Sequence, residues 1–339
     1  MKSELPEKVL VIAPEGLGDA VLSLPGLQIF RQEHPDVEIT VLAEAALEPF
    51  WRMCPAIHFF QLLEKNRPML RKLKREHYDR VYILRDDFRA ALIAWRAGIA
   101  RRTGFRGHWR RLLLTEIVHR PEGHRQFEFM NILGVQGEPP APQIAVPHKS
   151  FQTLERKLIH FPNIGKNRAV IFQALEEERP LDARPVITLM PGGPAERWPA
   201  AHFGLLAKNL ISSLKAVVLL AGDCDDMELC TEVAQAAGPD AINLAGQITL
   251  PEWAALLTVS DCAVCNAGDG MQLVAAAGRP VLPVYGLNNP KKHAPLGKYT
   301  RFDEKKAPAN EPEFEEVTRT LTAVTTDMAY GAVAKLLAT

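Results

Sequence analysis

Cysteine, net charge and long apolar runs are all scarce in this chain, and each shortage removes a class of protein. Five cysteines in 339 residues are too few for the disulfide framework of a small secreted domain. Forty lysines and arginines balance forty aspartates and glutamates, a formal net charge of zero. That excludes a globally basic nucleic-acid coat protein, and no nucleic-acid partner is expected. No apolar run approaches the roughly 18 residues of a membrane span. The opening MKSELPEKVLVIAPEG places a Glu and a Pro before a short apolar stretch, so it reads as a strand and not as a signal peptide. Metal and nucleophile signatures are missing too: no HExxH pair, no Gly-x-Ser-x-Gly elbow and no GxxxxGK(S/T) phosphate loop. No cofactor and no metal are expected. What remains, at 47% hydrophobic and 24% charged residues, is an ordinary globular composition. The chain exceeds the roughly 100–200 residues of one domain, and the expectation is a cytoplasmic protein of two domains.

The hydrophobic pattern alternates strand and helix in both halves. KVLVIA (8–13), VEITVLAE (37–44) and RVYILR (80–85) read as buried strands, with helical patterns from Ala20 to before Pro35 and over residues 45–52. In the second half, strands are expected at 186–193, 216–222, 241–246, 261–270 and 280–286, with helices at 200–214, 225–237, 250–259 and 271–278. Such repetition predicts right-handed βαβ units and parallel sheets. The proline-rich, mixed-charge stretch 135–185 reads as the connecting region. The expected division is an N-terminal domain over 1–165, a linker over 166–185, a second domain over 186–325 and a last helix at 326–339. Ligands of open α/β sheets bind beyond the carboxyl ends of the strands. The loops at 14–19, 191–198, 222–226, 265–272 and 286–293 are therefore expected to line one cleft faced by both sheets.

Those loops carry the candidate site residues. PEGLGD (14–19) follows a strand and opens a helix, so its amides suit an anion or a polar sugar. Asp19 at that helix start is either a functional carboxylate or an ordinary first-turn acid. A dinucleotide fingerprint would need a third glycine where Val21 stands, although Glu44 ends the second strand, where that fold keeps its acidic residue. AGDGMQ (267–272) heads a helix, and its glycines would let amides approach a phosphate; a plain turn capped by Asp269 is the alternative. In MPGGPAERWP, Gly192 and Gly193 form a turn, Arg197 suits a diphosphate, and Trp198 reads equally as a packing residue.

Local charge is less balanced than net charge. Residues 64–125 hold 17 Lys/Arg against 7 Asp/Glu, an excess of ten. Such a run is either a solvated face or a surface for an anionic acceptor such as a phosphorylated lipid headgroup. Cys262 and Cys265 have CxxC spacing, but three residues apart on a strand they point to opposite faces, which argues against zinc or redox chemistry.

The loops in this order resemble glycosyltransferase family 9, the ADP-heptose:lipopolysaccharide heptosyltransferases. The resemblance runs through VLVIAPEGLGDAVLSLPGL (9–27), YDRVYILRDDFRAALIAWRAGIARRTGFRG (78–107), RWPAAHFGLLAKNL (197–210), VVLLAGDCDDMEL (217–229), NLAGQITLPEWAALLTVSD (243–261) and CNAGDGMQLVAAAGRPVLPVYG (265–286); the segment 78–107 is the most specific. It implies a GT-B fold, two Rossmann-like α/β domains with parallel sheets facing across a cleft, closed by a C-terminal helix returning to the first domain. The implied reaction is inverting transfer of heptose from ADP-heptose to the lipopolysaccharide inner core, at the inner face of the cytoplasmic membrane. It further implies Asp19 as general base and Glu228, or the neighbouring Asp223, Asp225 and Asp226, near the nucleotide ribose. The donor would be held by Gly192, Gly193, Arg197, Gly268, Asp269, Gly270, Met271 and Gln272. The acceptor would be held by Gly18, Arg67, Arg71, Arg85, Arg102 and Arg106. The chain departs from the family pattern at Glu196, where a lysine is usual, and at Ala267 and Gln272, where an aspartate and a histidine are usual. Those departures raise the alternative of a family member that binds nucleotide or glycan without catalysis.

Overall fold

A computed structural model describes residues 7–64, 66–107, 109–161, 170–171, 184–193, 197–286, 290–295, 321 and 323–338. The chain forms two compact units, Met1–Ala145 and Val146–Thr339. The boundary thus falls about twenty residues before the expected linker, which lies largely outside the described residues.

In the first unit the order is β1 (Lys8–Ile12), α1 (Leu17–Glu33), β2 (Glu38–Ala43), a 3-10 turn (Ala45–Leu47), α2 (Glu48–Trp51), β3 (Phe59–Leu62), α3 (Arg67–Glu76), β4 (Arg80–Ile83), α4 (Phe88–Arg96), β5 (Arg101–Phe105), a second 3-10 turn (Arg110–Leu112), β6 (Glu116–Val118) and α5 (Arg125–Leu133). All six strands are parallel, in the order β3-β2-β1-β4-β5-β6. β1 is central, with Val9 opposite Ile39 on one side and Arg80 on the other. Alternate strand residues serve opposite layers. Leu10, Ile12, Val81 and Ile83 pack with Met69 and Leu73 of α3 and Ala90, Ala91 and Ala94 of α4. On the other face α1 packs on α5, and Phe30 meets Tyr82 edge-on, centroids 5.4 Å apart. The single helix expected over 45–52 is split, because Pro49 lacks an N–H and favours a fresh helix start. β3 and β6 were not legible: both are edge strands of three or four residues with little buried surface.

The second unit opens with α6 (His148–Leu158), followed by β7 (Val186–Met190), α7 (Ala200–Leu214), β8 (Val217–Leu220), α8 (Met227–Ala237), β9 (Ile242–Asn243), α9 (Leu250–Val259), β10 (Cys262–Asn266), α10 (Asp269–Ala276), β11 (Val281–Val284), α11 (Pro290–His293) and α12 (Thr326–Leu337). Its five strands are again parallel, ordered β11-β10-β7-β8-β9. β7, β10 and β11 are buried along their whole length, as strands covered on both faces should be. α7, α8 and α12 close one face with Phe203, Leu206, Val233 and Val333; α6, α9 and α10 pack together elsewhere. α6 falls within the range expected for the first domain (1–165) but belongs to the second unit. It is an amphipathic helix whose Leu154 and Leu158 are fully buried, and Lys157 reaches Glu252 of α9 at 2.7 Å. The last helix, expected to return to the first domain, instead packs in the second: Ala329, Val333 and Leu336 of α12 join the core built on α7.

Candidate active site

Each sheet has one place where the chain reverses its direction of winding, and ligands of doubly wound sheets bind at such points. In the first unit it lies between β1 and β4, and in the second between β7 and β10. Most of the residues picked out from the sequence lie at those two points.

At the first, the extended Gly16 leads into α1, whose third residue is Asp19. Arg125, at the start of α5, grips that carboxylate with two parallel bonds: Nε donates to Oδ1 and Nη2 to Oδ2, each at 2.5 Å. The pair is about a quarter exposed on each side. Donating to the Asp19 carboxylate raises the Arg125 guanidinium above its ordinary value, against the opposing pull of burial. A carboxylate offers about four lone-pair sites, so each Asp19 oxygen keeps one for an incoming hydroxyl while Arg125 fixes the plane of the group.

The ion pairs continue from there. Arg125 also meets Glu128 at 3.5 Å, Glu128 accepts from Arg120 at 2.9 Å, and Arg120 pairs with Asp86. Asp86 in turn accepts from the buried Arg110 at 2.9 Å. Burial alone would push the Asp86 carboxyl up, but the hydrogen bonds from Arg120 and Arg110 hold it below the usual range. On the β4 side, Arg85 pairs with Glu15 and Asp87, and with Glu44 at 3.5 Å.

The cations expected to meet an acceptor therefore divide. Arg67, Arg71 and Arg106 are exposed and form no ion pair among the described residues. Arg85 is nearly buried and committed to three acidic partners. Arg102 is directed into the backbone, donating to the carbonyls of Ile99, Ala100 and Leu113, so it braces β5. Gly18 is buried in the first turn of α1. Sequence reasoning missed Arg125, Arg120, Glu128 and Asp86. Arg125 and Arg120 belong to the basic stretch already noted, but Arg125 is 106 positions from Asp19, and only the fold joins them.

At the second point, Asn266 at the end of β10 ties the neighbouring loop together. Its Oδ1 accepts from the Trp198 amide at 2.8 Å, and its Nδ2 donates to the carbonyls of Pro191 at 2.7 Å and Gly192 at 3.3 Å. Gly193 has φ +120, a conformation that favours glycine. Trp198 is a packing residue: fully buried, edge-on to Phe203, with Nε1 donating to the Val324 carbonyl at 2.8 Å. Arg197 is exposed beside it, and Glu196 lies outside the described residues. The Asp226 carboxylate sits so close to Gly192 that a Cβ there would overlap it. Burial and the neighbouring Asp223 raise Asp226 above its ordinary value, while Arg197 draws it down. A carboxylate in that place suits sugar hydroxyls and repels phosphate. Any diphosphate is then left to Arg197 and the start of α10, where the extended Gly268 precedes Asp269 and Gly270. Glu228 is exposed in the first turn of α8. Met271 and Gln272 are buried, and Gln272 Nε2 donates to the His293 carbonyl at 2.7 Å. Their side chains are thus turned away from solvent. Ala267 is buried at the end of β10. Cys262 packs in the core on the α7 side, and burial pushes its thiol up to about 12.

The model of glycosyltransferase family 9 (heptosyltransferase) matches residues 67–322. The chain belongs to this family. As a family 9 member it is 28% identical over 317 residues to lipopolysaccharide heptosyltransferase 2 of Escherichia coli K12, covering 87% of each chain. It is 29% identical over 316 residues to lipooligosaccharide heptosyltransferase 2 of Haemophilus ducreyi, covering 86% of each. Among solved structures, E. coli ADP-heptose lipopolysaccharide heptosyltransferase II is similar over 97% of this chain and 98% of its own, with a TM-score of 0.80 and 25% identity. A family 9 structure from Veillonella parvula has a TM-score of 0.82 at 19% identity, covering 99% and 98%, a likeness of fold. The chain is a glycosyltransferase with two Rossmann-like units, the composition expected for GT-B.

Proposed function

We propose that this family 9 glycosyltransferase transfers heptose from ADP-heptose to a sugar hydroxyl of a lipopolysaccharide-type inner core, with inversion, at the inner membrane surface. The observation that carries the reading is Asp19, at the reversal point of the first sheet, held in plane by Arg125 and still offering lone pairs. Displacement at an anomeric carbon needs a base on the attacking hydroxyl and a counter-charge for the departing diphosphate. Asp19 supplies the first. Arg197 and the amides of residues 268–271 supply the second, and Asp226 or Glu228 takes the ribose. Exposed Arg67, Arg71 and Arg106 meet the anionic core. Among the described residues no helix is long and apolar enough to cross a membrane, so contact with the bilayer is peripheral in this scheme.

Calorimetric titration with ADP, ADP-heptose, UDP, GDP and NAD tests the donor half. Micromolar binding of ADP or ADP-heptose alone is expected. Tight binding of UDP or GDP would replace the donor, and silence with all five would leave a family member without a donor site.

A further inference from the structure

The face of the first unit that carries α3 and α4 has an unusual surface. On α4, Ala90, Ala91 and Ala94 occupy the buried side. The opposite side is also apolar: Phe88, Leu92 and Trp95 recur at i, i+4 and i+7, with Phe88 45% and Trp95 52% exposed. Exposed Arg89 and Arg96 flank that stripe. Against α4 packs the 3-10 turn Arg110–Leu112, which adds Trp109 at 72% and Leu112 at 68% exposure. This turn is held firmly. Arg110 is buried, bonded to Asp86 at 2.9 Å and to the Arg85 carbonyl at 3.0 Å, so Trp109 and Leu112 are fixed outward. α3, on the same face of the sheet, contributes the exposed basic run from Arg67 to Arg75.

Clustered exposed apolar residues of this size mark an interaction surface. Tryptophan, phenylalanine and leucine bordered by arginine match the chemistry of a bilayer interface, where aromatic rings sit at headgroup level and cations meet anionic phosphates. The local excess of ten positive charges over 64–125 is complementary to such a surface. We infer that α4 and the Trp109–Leu112 turn form the face by which the protein docks on an anionic lipid bilayer. Each arginine close to such a surface adds about fivefold to binding, and the apolar side chains enter the headgroup layer. The inference deepens the membrane-surface reading above and rests on it; its deciding measurement, vesicle flotation, uses no sugar substrate, so the two can fail separately.

The test is flotation of the full chain with phosphatidylcholine vesicles, with and without phosphatidylglycerol. Wild-type protein is expected to float with the anionic vesicles only. A Trp95→Ser/Trp109→Ser/Leu112→Ser variant should lose most of that binding, and Arg89→Glu/Arg96→Glu should lose at least about 25-fold, two lost cations at about fivefold each. All these side chains are exposed or lie outside the ion-pair chain at Asp19, so both variants should keep the wild-type unfolding temperature and transfer rate on a delipidated acceptor. Equal flotation of wild type and variants would overturn the inference. So would absence of flotation together with wild-type dimers that become monomers in the variants, which would assign the face to a second copy of the chain. Failure of wild-type transfer to delipidated acceptor would instead strike the proposed function and leave the vesicle result standing.

Discussion

Replacing Asp19 by Asn separates the base from the ion pair that holds it. An amide has nearly the shape of the carboxylate but cannot take the acceptor proton, so the rate should fall by about 10²–10⁴, about 3–5.5 kcal/mol of barrier. The structure adds a second, smaller effect. Arg125 presents Nε and Nη2 to the two carboxylate oxygens, each at 2.5 Å. An amide has one oxygen, so whichever way it turns, its NH2 faces a guanidinium donor. One charged bond becomes neutral-acceptor and the other is lost. Charged hydrogen bonds contribute about 1.5–3 kcal/mol each, and water reaches both partners at about a quarter exposure, so the net loss should be about 1–2 kcal/mol. At about 2–4 °C per kcal/mol for a domain of this size, melting should drop by a few degrees. The assay is initial-rate ADP release with a core acceptor, beside a thermal scan and ADP titration. Nucleotide affinity should not change, because the donor residues lie in the second unit. The double variant Asp19→Asn/Arg125→Gln restores an amide–amide pairing and should recover stability without recovering rate. Retention of most of the wild-type rate in the single variant would refute the role of Asp19 as base. Recovery of rate in the double variant would show that the loss came from the unmatched pairing.

Three further outcomes follow from particular contacts. Burial would push Glu252 up, but Lys157 and the Thr249 amide and hydroxyl hold it below its ordinary value; a group depressed in the folded state stabilises above its unfolded pKa and loses that contribution as pH falls through the folded one. Stability measured by urea unfolding should therefore decline below about pH 4.5, helped by Asp86, and Glu252→Gln should flatten part of that decline; an unchanged slope would dismiss Glu252 as a contributor. Asn266→Ala removes the bonds to Trp198, Pro191 and Gly192 and leaves their groups unpaired at about 1–3 kcal/mol, so melting should fall and ADP binding weaken on the order of tenfold, whereas unaltered calorimetry would mean that the 191–198 loop does not hold the donor. A methyl at Gly204 would overlap the Ala236 side chain where α7 crosses α8, and Gly204→Ala should lower stability by about 1–3 kcal/mol with the donor affinity intact; a wild-type melting curve would show that the helices separate freely.

The sequence alone determined the alternation of buried strands and amphipathic helices, because both periods are local properties of the chain. α7 and α9 occupy the very ranges read from the pattern, and the loops after β1, β7 and β10 stand where the strand ends place them. It also isolated Asp19, Gly193 and Arg197, whose residue types at a strand–helix junction carry their own chemistry. Short edge strands such as β3 and β6, and the helix α6 within a proline-rich stretch, were not legible, since their stability comes from neighbours distant in the chain. Tertiary structure alone decided which arginines are free. Arg85, Arg102 and Arg106 look alike in the sequence, yet one is locked among acids, one is bonded into the backbone and one is exposed. It alone brought Arg125 to Asp19, turned Gln272 inward and packed the Arg110–Leu112 turn against α4. Which charge meets which is set by where the strands end in space, and no local pattern records that.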